Sequence, residues 1–303
     1  MAKDNSFTWQ PADLAKLDLK GTKAIVVGGT GGVGRALSRL LALHGASVTV
    51  VGQTFRDQGT QGIEFIKADL ALMSEAKRVA AQLSAETADL VIFTTGIMAG
   101  PEREQTSEGI ERDMAISYLS RLVILREIAP RLGRNRPASA ISPRVFIMGF
   151  PGSNGKANVE DLNAEKSYSK WKTHAGTVAG NEVLVLDAAK RYRNALFFGL
   201  NPGFVNTNIR GNLFGTNAFL LKLMEWLLKP FTITPEIYAA RLAPLLISPS
   251  LESRSGLMFN NKAEAIRPSE QLAVPANTRI LIEASEALVA KKTGITLPNG
   301  SVA

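Results

Sequence analysis

The 303-residue sequence predicts an α/β protein in which helices cover both faces of a doubly wound parallel sheet. Two observations support this prediction, the first on the fold class and the second on the size of the core. Short apolar runs rich in β-branched residues alternate with stretches of helical periodicity, which is the pattern of βαβ crossovers. A hydrophobic fraction of 45% beside 20% charged residues is also enough to bury one sizeable core.

The predicted strands are apolar runs bounded by turn residues. They are KAIVVGG (23–29), SVTVVG (47–52), IEFIKA (63–68), DLVIFTT (89–95), RVFIMG (144–149) and ALFFGLNP (195–202). Helical spacing is found in GRALSRLLALHG, MSEAKRVAAQLSAE, GIERDMAISYLSRLVILREIAPRL and AGNEVLVLDAAKRYR. Residues 203–262 then form a mostly helical insertion that ends in a further strand-like run, SGLMFN (255–260).

One main domain is expected. We predict an N-terminal extension at 1–20, a domain at 21–262 with a substrate-lid insertion at about 208–246, and a C-terminal tail at 263–303 packed on that domain. The charged N-terminal segment predicts a cytoplasmic protein. The most apolar stretch, 218–231, is too short and too charged to span a bilayer.

Composition narrows the functional classes. The chain has no cysteine, which excludes disulfides, thiolate metal sites and a cysteine nucleophile, and we predict no metal site. The net charge is +8, and arginines gather in 120–144 without the interleaved aromatic residues of a nucleic-acid stacking surface. A solvated basic face is therefore preferred to nucleic-acid binding, and attraction of an anionic cofactor is a third interpretation.

A glycine-rich turn, GGTGGVG, connects the first predicted strand to the first helix. Glycines let the backbone approach a pyrophosphate closely, and the start of a helix offers unpaired N–H groups and a positive dipole end. A second strand follows about 15 residues later, as in dinucleotide-binding folds. The turn therefore predicts a Rossmann-type dinucleotide site.

Several motifs together resemble the short-chain dehydrogenase/reductase (SDR) family, in its retinol-dehydrogenase-like branch. Val27, Gly28, Gly32 and Gly34 match the T-G-x-x-x-G-x-G fingerprint, with valine in place of threonine. The motifs KADL, FTTGI and NPGFVNT match the family's segments at the adenine, beside the cofactor and at the nicotinamide amide. The cofactor residues that this resemblance implies are Gly28, Thr30, Gly32, Val33, Gly34, Asp69, Leu70, Thr95, Gly96, Pro202, Gly203, Val205 and Thr207.

The end of the second strand carries information on the cofactor's phosphate. NAD enzymes of this architecture usually place an acidic residue there, and NADP enzymes a basic one. Here Gly52 and Gln53 stand at these positions, with Arg56 following. NADP(H) is therefore favoured over NAD(H), with Gln53 and Arg56 as cofactor residues, and the alternative is that Arg56 is solvated and pairs with Asp57.

The catalytic residues depend on the alignment register. SDR enzymes donate a proton from a tyrosine, whose pKa near 10 is lowered by a lysine four residues later. The stretch DLNAEKSYSKWKTHAGTVAGNE resembles the branch pattern D-L-x-x-E-K-x-Y, five residues, Y-x-x-S-K-x-A-N. In this register His174 takes the tyrosine position and Val178 the lysine position. Ser117 stands at the asparagine position, and Gly149–Phe150 replace the usual serines, so the whole tetrad is substituted.

The other register makes Tyr168 and Lys172 the catalytic pair, because they have the Y-x-x-x-K spacing. Six residues of helix separate Tyr168 from His174 by about 9 Å of rise and about 240° of turn. We therefore regard this pair as a chance match, which leaves His174 ahead of Tyr168. A histidine that only caps or fills the helix start is an equally weighted interpretation of His174.

The functional hypothesis is an NADP(H)-binding SDR oxidoreductase that acts on a small hydrophobic carbonyl or enone with a non-standard proton donor. The alternatives are a cofactor-binding pseudoenzyme or scaffold and a non-redox isomerase or lyase on the same fold. The family also implies a homodimer or homotetramer through helices at 109–132 and 174–192. The hydrophobic substrate is inferred from apolar residues of the lid, namely Phe214, Phe219, Leu223, Met224, Trp226 and Leu227.

Overall fold

The computed structural model describes residues 1–137, 141–203, 205 and 233–298. Within them lies a single eight-stranded sheet in the order β3-β2-β1-β4-β5-β6-β7-β8. Its strands run parallel except β8, which pairs antiparallel with β7. The predicted doubly wound α/β class is confirmed. The strands are β1 (Lys23–Val27), β2 (Ser47–Gly52), β3 (Ile63–Lys67), β4 (Leu90–Phe93), β5 (Arg144–Met148), β6 (Leu196–Leu200), β7 (Met258–Phe259) and β8 (Ala265–Ile266).

Helices connect the parallel strands. In the described ranges they are α1 (Gly32–Leu43), α2 (Met73–Gln82), α3 (Arg112–Met114), a π-helical segment (Ala115–Leu119), α4 (Ser120–Ile128), α5 (Lys170–Arg191), α6 (Pro235–Leu246), α7 (Glu270–Ala273) and α8 (Pro275–Thr293). Short 3₁₀ turns occur at Leu14–Lys16, Ala85–Thr87, Ala129–Arg131, Val159–Asp161 and Pro249–Leu251.

The sheet is buried on both faces because every strand from β1 to β6 except the outer β3 carries an almost continuous apolar run. Helices α1 and α6 pack against each other and cover one face with Leu37, Leu41 and Leu242. Helices α2, α4, α5 and α8 form the layer on the other face. Because β1 and β4 are parallel neighbours, their carboxyl ends lie at the same edge of the sheet, which is where this topology places ligands.

The helix predicted across 109–132 is not continuous. It divides into α3, the π-helical segment and α4, so one extra residue is accommodated in the turn that contains Ser117. Such π-helical turns frequently occur at functional sites. The insertion changes which side chains share a face of this helix, and sequence periodicity does not reveal it.

The N-terminal segment and helix α8 both contact other parts of the fold. The Tyr118 hydroxyl donates to Ser285 Oγ at 2.9 Å, which joins the helix before α4 to α8. Helix α8 also packs along α5, so it covers part of the two helices considered for a subunit contact. At the other end, Trp9 Nε1 donates to the Ala263 carbonyl at 2.7 Å.

The predicted lid is described only in part. Helix α6 lies within 208–246 and packs against α1 on the outer layer. Residues 206–232, with the apolar lid side chains and Thr207, lie outside the described residues. Across the described ranges, no helix combines the length and apolarity needed to cross a membrane.

Candidate active site

The glycine-rich turn after β1 fits against the end of β4. Gly28 has φ +93°, and a Cβ at this position would lie 2.5 Å from the Thr95 amide nitrogen. A Cβ at Gly34 would collide with Thr94 Oγ1 and with the Gly28 carbonyl oxygen. The Thr94 hydroxyl donates to the Val27 carbonyl at 3.1 Å. Only glycine therefore permits this close approach of the turn to β4.

The start of α1 is open to an anion. Gly31 is the N-cap residue, and it has no side chain with which to cap the first-turn N–H groups. Among the described residues, a Cβ at Gly31 would have only Arg56 Nη1 within 4 Å, at 3.6 Å, so these residues leave space beside the turn. Gly32 begins α1 with φ +49°, and Val33 is buried in the core. The backbone of this turn fits the pyrophosphate of the expected dinucleotide.

Two of the residues expected at the adenine end contact each other. Gln53 Nε2 donates to Asp69 Oδ1 at 2.8 Å, and the same carboxylate oxygen accepts the Ala71 amide at 3.0 Å. Leu70 is buried. Asp69 is therefore held by local hydrogen bonds, and Gln53 is held beside it at the end of β2.

Arg56 does not pair with its neighbour Asp57. Its Nη1 donates to the Thr30 carbonyl at 2.8 Å, which holds the guanidinium against the glycine-rich turn. Asp57 instead forms an ion pair with Arg35, whose Nη2 lies 2.8 Å from Asp57 Oδ1. The Arg56 guanidinium thus lies at the turn and donates its hydrogen bond to a neutral oxygen, that of Thr30.

The end of β4 contributes the next part of the site. Thr95 Oγ1 is buried without a hydrogen-bond partner among the described residues. A Cβ at Gly96 would lie 3.7 Å from both Ser117 Oγ and Arg121 Nη2. Gly96 therefore lies directly above the polar side chains of the helix that follows.

The segment after β6 also reaches this edge. Gly203 has φ +64°, and a Cβ there would lie 2.9 Å from Asn261 Nδ2. Pro202 is half-buried, and Val205 is buried and forms a single bridge with Ile233. These residues follow a strand of the same parallel sheet, so they lie at the same edge as the turn after β1.

His174 belongs to a chain of side-chain hydrogen bonds. Its Nδ1 lies 2.8 Å from Asp113 Oδ2, and the other oxygen of Asp113 accepts the Ser117 hydroxyl at 2.5 Å. Ser117 Oγ in turn accepts the Ile97 amide at 3.0 Å. Asp113 is fully buried, whereas the His174 side chain is 28% exposed. The imidazole is therefore fixed at one nitrogen by a buried carboxylate and remains partly exposed.

A buried arginine lies beneath this chain. Arg121 Nη1 donates to the Met148 carbonyl and, at 2.8 Å, to Asn181 Oδ1, while Nη2 donates to the Thr95 carbonyl. Asn181 Nδ2 donates to the Ser117 carbonyl at 2.8 Å. One guanidinium thus ties the ends of β4 and β5 to α5.

Tyr168 and Lys172 are not brought together as a proton-donating pair. Tyr168 precedes α5, and its hydroxyl donates to the Gly100 carbonyl at 2.9 Å. Burial raises the pKa of Tyr168 to about 12, and the negative charges of Glu111 and Asp113 add to this effect. Lys172 is exposed. An SDR catalytic tyrosine is activated by a lysine that lowers its pKa, whereas the surroundings of Tyr168 raise its pKa.

Sequence reasoning did not select Asp113, Arg121 or Asn181 as site residues. The first two lie four residues before and four after Ser117, a spacing that indicates one helical face. This spacing was a readable signal. The contact of Asp113 with His174 joins residues 61 positions apart, and no local pattern encodes it.

Comparison with known proteins identifies the family. The family model for short chain dehydrogenases matches residues 22–143. The chain is 47% identical to the uncharacterized oxidoreductase YKL107W of Saccharomyces cerevisiae over 293 residues, which are 95% of this chain and 94% of that protein. The chain belongs to the short-chain dehydrogenase/reductase family of oxidoreductases, which bind nicotinamide cofactors.

More distant relatives agree with this assignment. The chain is 25% identical to the human polyprenol dehydrogenase over 265 residues, 80% of this chain and 77% of that protein, which supports the predicted branch in part. A protein from Mycobacterium paratuberculosis shares the fold with a TM-score of 0.68 and 19% identity, and covers 95% of this chain and 100% of that one. A short chain dehydrogenase from Shigella flexneri, solved with NADP, has a TM-score of 0.59 and 17% identity over 82% of this chain and 100% of that one.

Proposed function

We propose that this oxidoreductase reduces a small hydrophobic carbonyl or enone with His174 as the proton donor. The observation that carries the proposal is the 2.8 Å contact between His174 Nδ1 and the buried Asp113 carboxylate. A carboxylate only accepts hydrogen bonds, so Nδ1 carries the hydrogen and Nε2 is the nitrogen that can exchange a proton with a substrate. In the register that we favour from the sequence, His174 takes the family's tyrosine position and Val178 the lysine position, so Asp113 is a partner from outside the family's tetrad.

Each group in the dyad has a separate role. When bound, a nicotinamide dinucleotide supplies the hydride. His174, as imidazolium, donates its Nε2 proton to the substrate oxygen (for an enone, the oxygen of the forming enol), and Asp113 stabilises the charge on the ring before that transfer. Ser117 holds Asp113 in place through the 2.5 Å hydrogen bond. The substrate class is supported by the apolar residues of the lid in the sequence.

The test is hydride transfer from NADPH and from NADH to a panel of hydrophobic ketones, aldehydes and enones. We expect His174→Ala to lower kcat by about 100-fold or more while the Kd of the cofactor stays within about twofold. Lys172→Ala is the matched control on the same helix, because Lys172 is exposed, and should keep full activity. Cofactor binding without turnover on any substrate would contradict the proposal and favour a scaffold.

We further propose that NADP(H) is preferred over NAD(H). Arg56 is held at the turn with its charge unmatched by Asp57, which pairs with Arg35, and the Shigella flexneri structure was solved with NADP. Arg56→Gln should weaken NADPH binding about tenfold and leave NADH binding within about twofold. Arg39→Gln is the control, since that guanidinium lies 3.9 Å from Asp57 on α1 and is mostly exposed. Equal losses for both cofactors would contradict this preference.

A further inference from the structure

Arg121 is a buried charge that the proposed proton transfer does not use. The residue is 3% exposed and lies on α4, one turn after Ser117. The hydrogen bonds of its guanidinium in the described part of the chain go to neutral oxygens, those of Thr95, Met148 and Asn181. Its Nε is buried without a partner there.

A second buried arginine differs from Arg121 in having carboxylate partners. Arg126, five residues further along the same helix, is fully buried but forms ion pairs with Asp187 at 2.8 Å and with Glu286 at 2.7 Å. Those carboxylates repay the desolvation of its charge. Arg121 has no such pair within the described ranges, so its burial lowers stability unless the charge acts on something else.

The charge of Arg121 persists at neutral pH. Burial lowers the pKa of its guanidinium to about 9, and the negative charge of Asp113 opposes that shift. The group is therefore a cation under ordinary conditions. Because it is buried, solvent and salt screen its field weakly, and the field acts on neighbouring groups over several ångströms.

The family resemblance implies that the cofactor binds beside Gly96 and the tetrad position Ser117, and this cation lies close to both. Nη2 donates to the Thr95 carbonyl and lies 3.7 Å from a Cβ at Gly96, at the end of β4. Nη1 contacts Asn181, which is one helical turn beyond Val178 on α5. Val178, at the position where the family has lysine, provides no charge. Arg121 thus approaches the same region from the neighbouring helix.

We propose that Arg121 is the fixed positive charge of the site and that it makes the protein bind the reduced cofactor in preference to the oxidised one. The oxidised nicotinamide ring is a cation and the reduced ring is neutral, so a buried guanidinium near a bound nicotinamide would destabilise the oxidised form relative to the reduced form. This preference suits a carbonyl reductase. The inference rests on the proposed cofactor binding, but it does not depend on His174 or on turnover.

The experiment compares the Kd values of NADP⁺ and NADPH, and of NAD⁺ and NADH, by calorimetry. In Arg121→Met the ratio of the oxidised to the reduced Kd should fall on the order of three- to tenfold, because the repulsion is removed. Arg121→Lys keeps the charge and should keep the ratio within about twofold. Arg112→Met is the matched control, because Arg112 begins α3, two short helical elements before Arg121, but is exposed and paired with Glu104 at 2.6 Å.

A purely structural role gives a different result. Loss of the tie between β4, β5 and α5 would weaken both redox forms equally, and an unchanged ratio in Arg121→Met would overturn the inference. If Arg121→Met does not fold, Arg121→Gln retains hydrogen-bond donors without the charge and should show the same fall in the ratio. Failure of the wild-type protein to bind either form would instead contradict the proposed function.

Discussion

The two halves of the site differ in what holds them together. Around the turn after β1, the requirements fall on the backbone, since side chains at Gly28 and Gly34 would collide with β4 or with the turn itself. Around α4 and α5, the requirements fall on side chains that meet across the fold, as His174 and Asp113 do. From this difference we expect substitutions in the first region, the cofactor half, to disturb the fold, and substitutions in the second region, the catalytic half, to change the chemistry and keep the fold.

The catalytic half tolerates exchange because its helices are packed by other residues. Every residue of helix α4 except Glu127 is buried, and Tyr118 lies so close to α5 that a Cβ at Gly180 would be 2.6 Å from its ring. These contacts hold the two helices together whether position 174 is tyrosine or histidine. The packing of these two helices therefore does not depend on which residues occupy the proposed catalytic positions.

The largest effect is expected in the cofactor half. Gly34→Ala should lower stability by about 1–3 kcal/mol and abolish measurable cofactor binding, because the added Cβ meets Thr94 Oγ1 and the Gly28 carbonyl. Thermal unfolding and calorimetric titration with NADPH measure the two quantities. Gly31→Ala is the control on the same turn, since the Gly31 backbone is extended and, of the described residues, only Arg56 lies near the added methyl, at 3.6 Å.

The comparison would fail if Gly31→Ala lost as much stability as Gly34→Ala. That outcome would mean that the turn is sensitive to any added side chain, and not to contact with β4. A Gly34→Ala variant of normal stability and normal cofactor affinity would likewise show that the cofactor half is as exchangeable as the catalytic half.

A smaller effect is expected from Asp113→Asn in the catalytic half. The amide can present N–H to His174 Nδ1, which moves the hydrogen to Nε2 and removes the charge that stabilises the imidazolium. We expect kcat to fall about 100-fold or more, with an unchanged cofactor Kd. Steady-state kinetics and calorimetry provide these values.

Ser117→Ala serves as the graded control for that change. It removes one hydrogen bond to Asp113 and keeps the carboxylate, so kcat should fall only about three- to tenfold. Equal losses in both variants would show that the hydrogen-bond chain is needed as a whole, and a neutral Asp113→Asn would remove the dyad from the proposed mechanism.

The sequence predicted the cofactor half better than the catalytic half for physical reasons. Strands β1 to β6 carry apolar runs with turn residues at their ends, and the predicted bounds differ from the observed ones by no more than two residues. The glycines of the turn report a backbone requirement that is local in sequence. Both signals can be read without knowledge of the tertiary structure.

The remaining features depend on distant contacts. Strand β8 is only two residues long and exists because Ile266 pairs with Met258. The π-helical turn at Ser117 has no periodicity of its own, since it is one inserted residue within a helical pattern. Helix α8, by contrast, can be recognised from the local sequence. Leu281, Ser285 and Val289 recur every four residues and are buried, so the pattern indicates a packed helix within the tail that we predict at 263–303.

The smallest effect is expected from Tyr168→Phe, which tests the alignment register on which the catalytic half depends. Burial and nearby carboxylates raise the pKa of Tyr168 to about 12, so its phenol stays protonated and is a weak proton donor at neutral pH. Its hydroxyl donates to the Gly100 carbonyl, and loss of this partly buried hydrogen bond should cost about 1 kcal/mol of stability. We expect kcat/KM to change by less than about threefold in the carbonyl-reduction assay. A loss of about 100-fold with intact cofactor binding would make Tyr168 the proton donor, because removal of a hydroxyl that takes no part in the reaction cannot stop turnover. His174 would then be a residue that only fills the helix start.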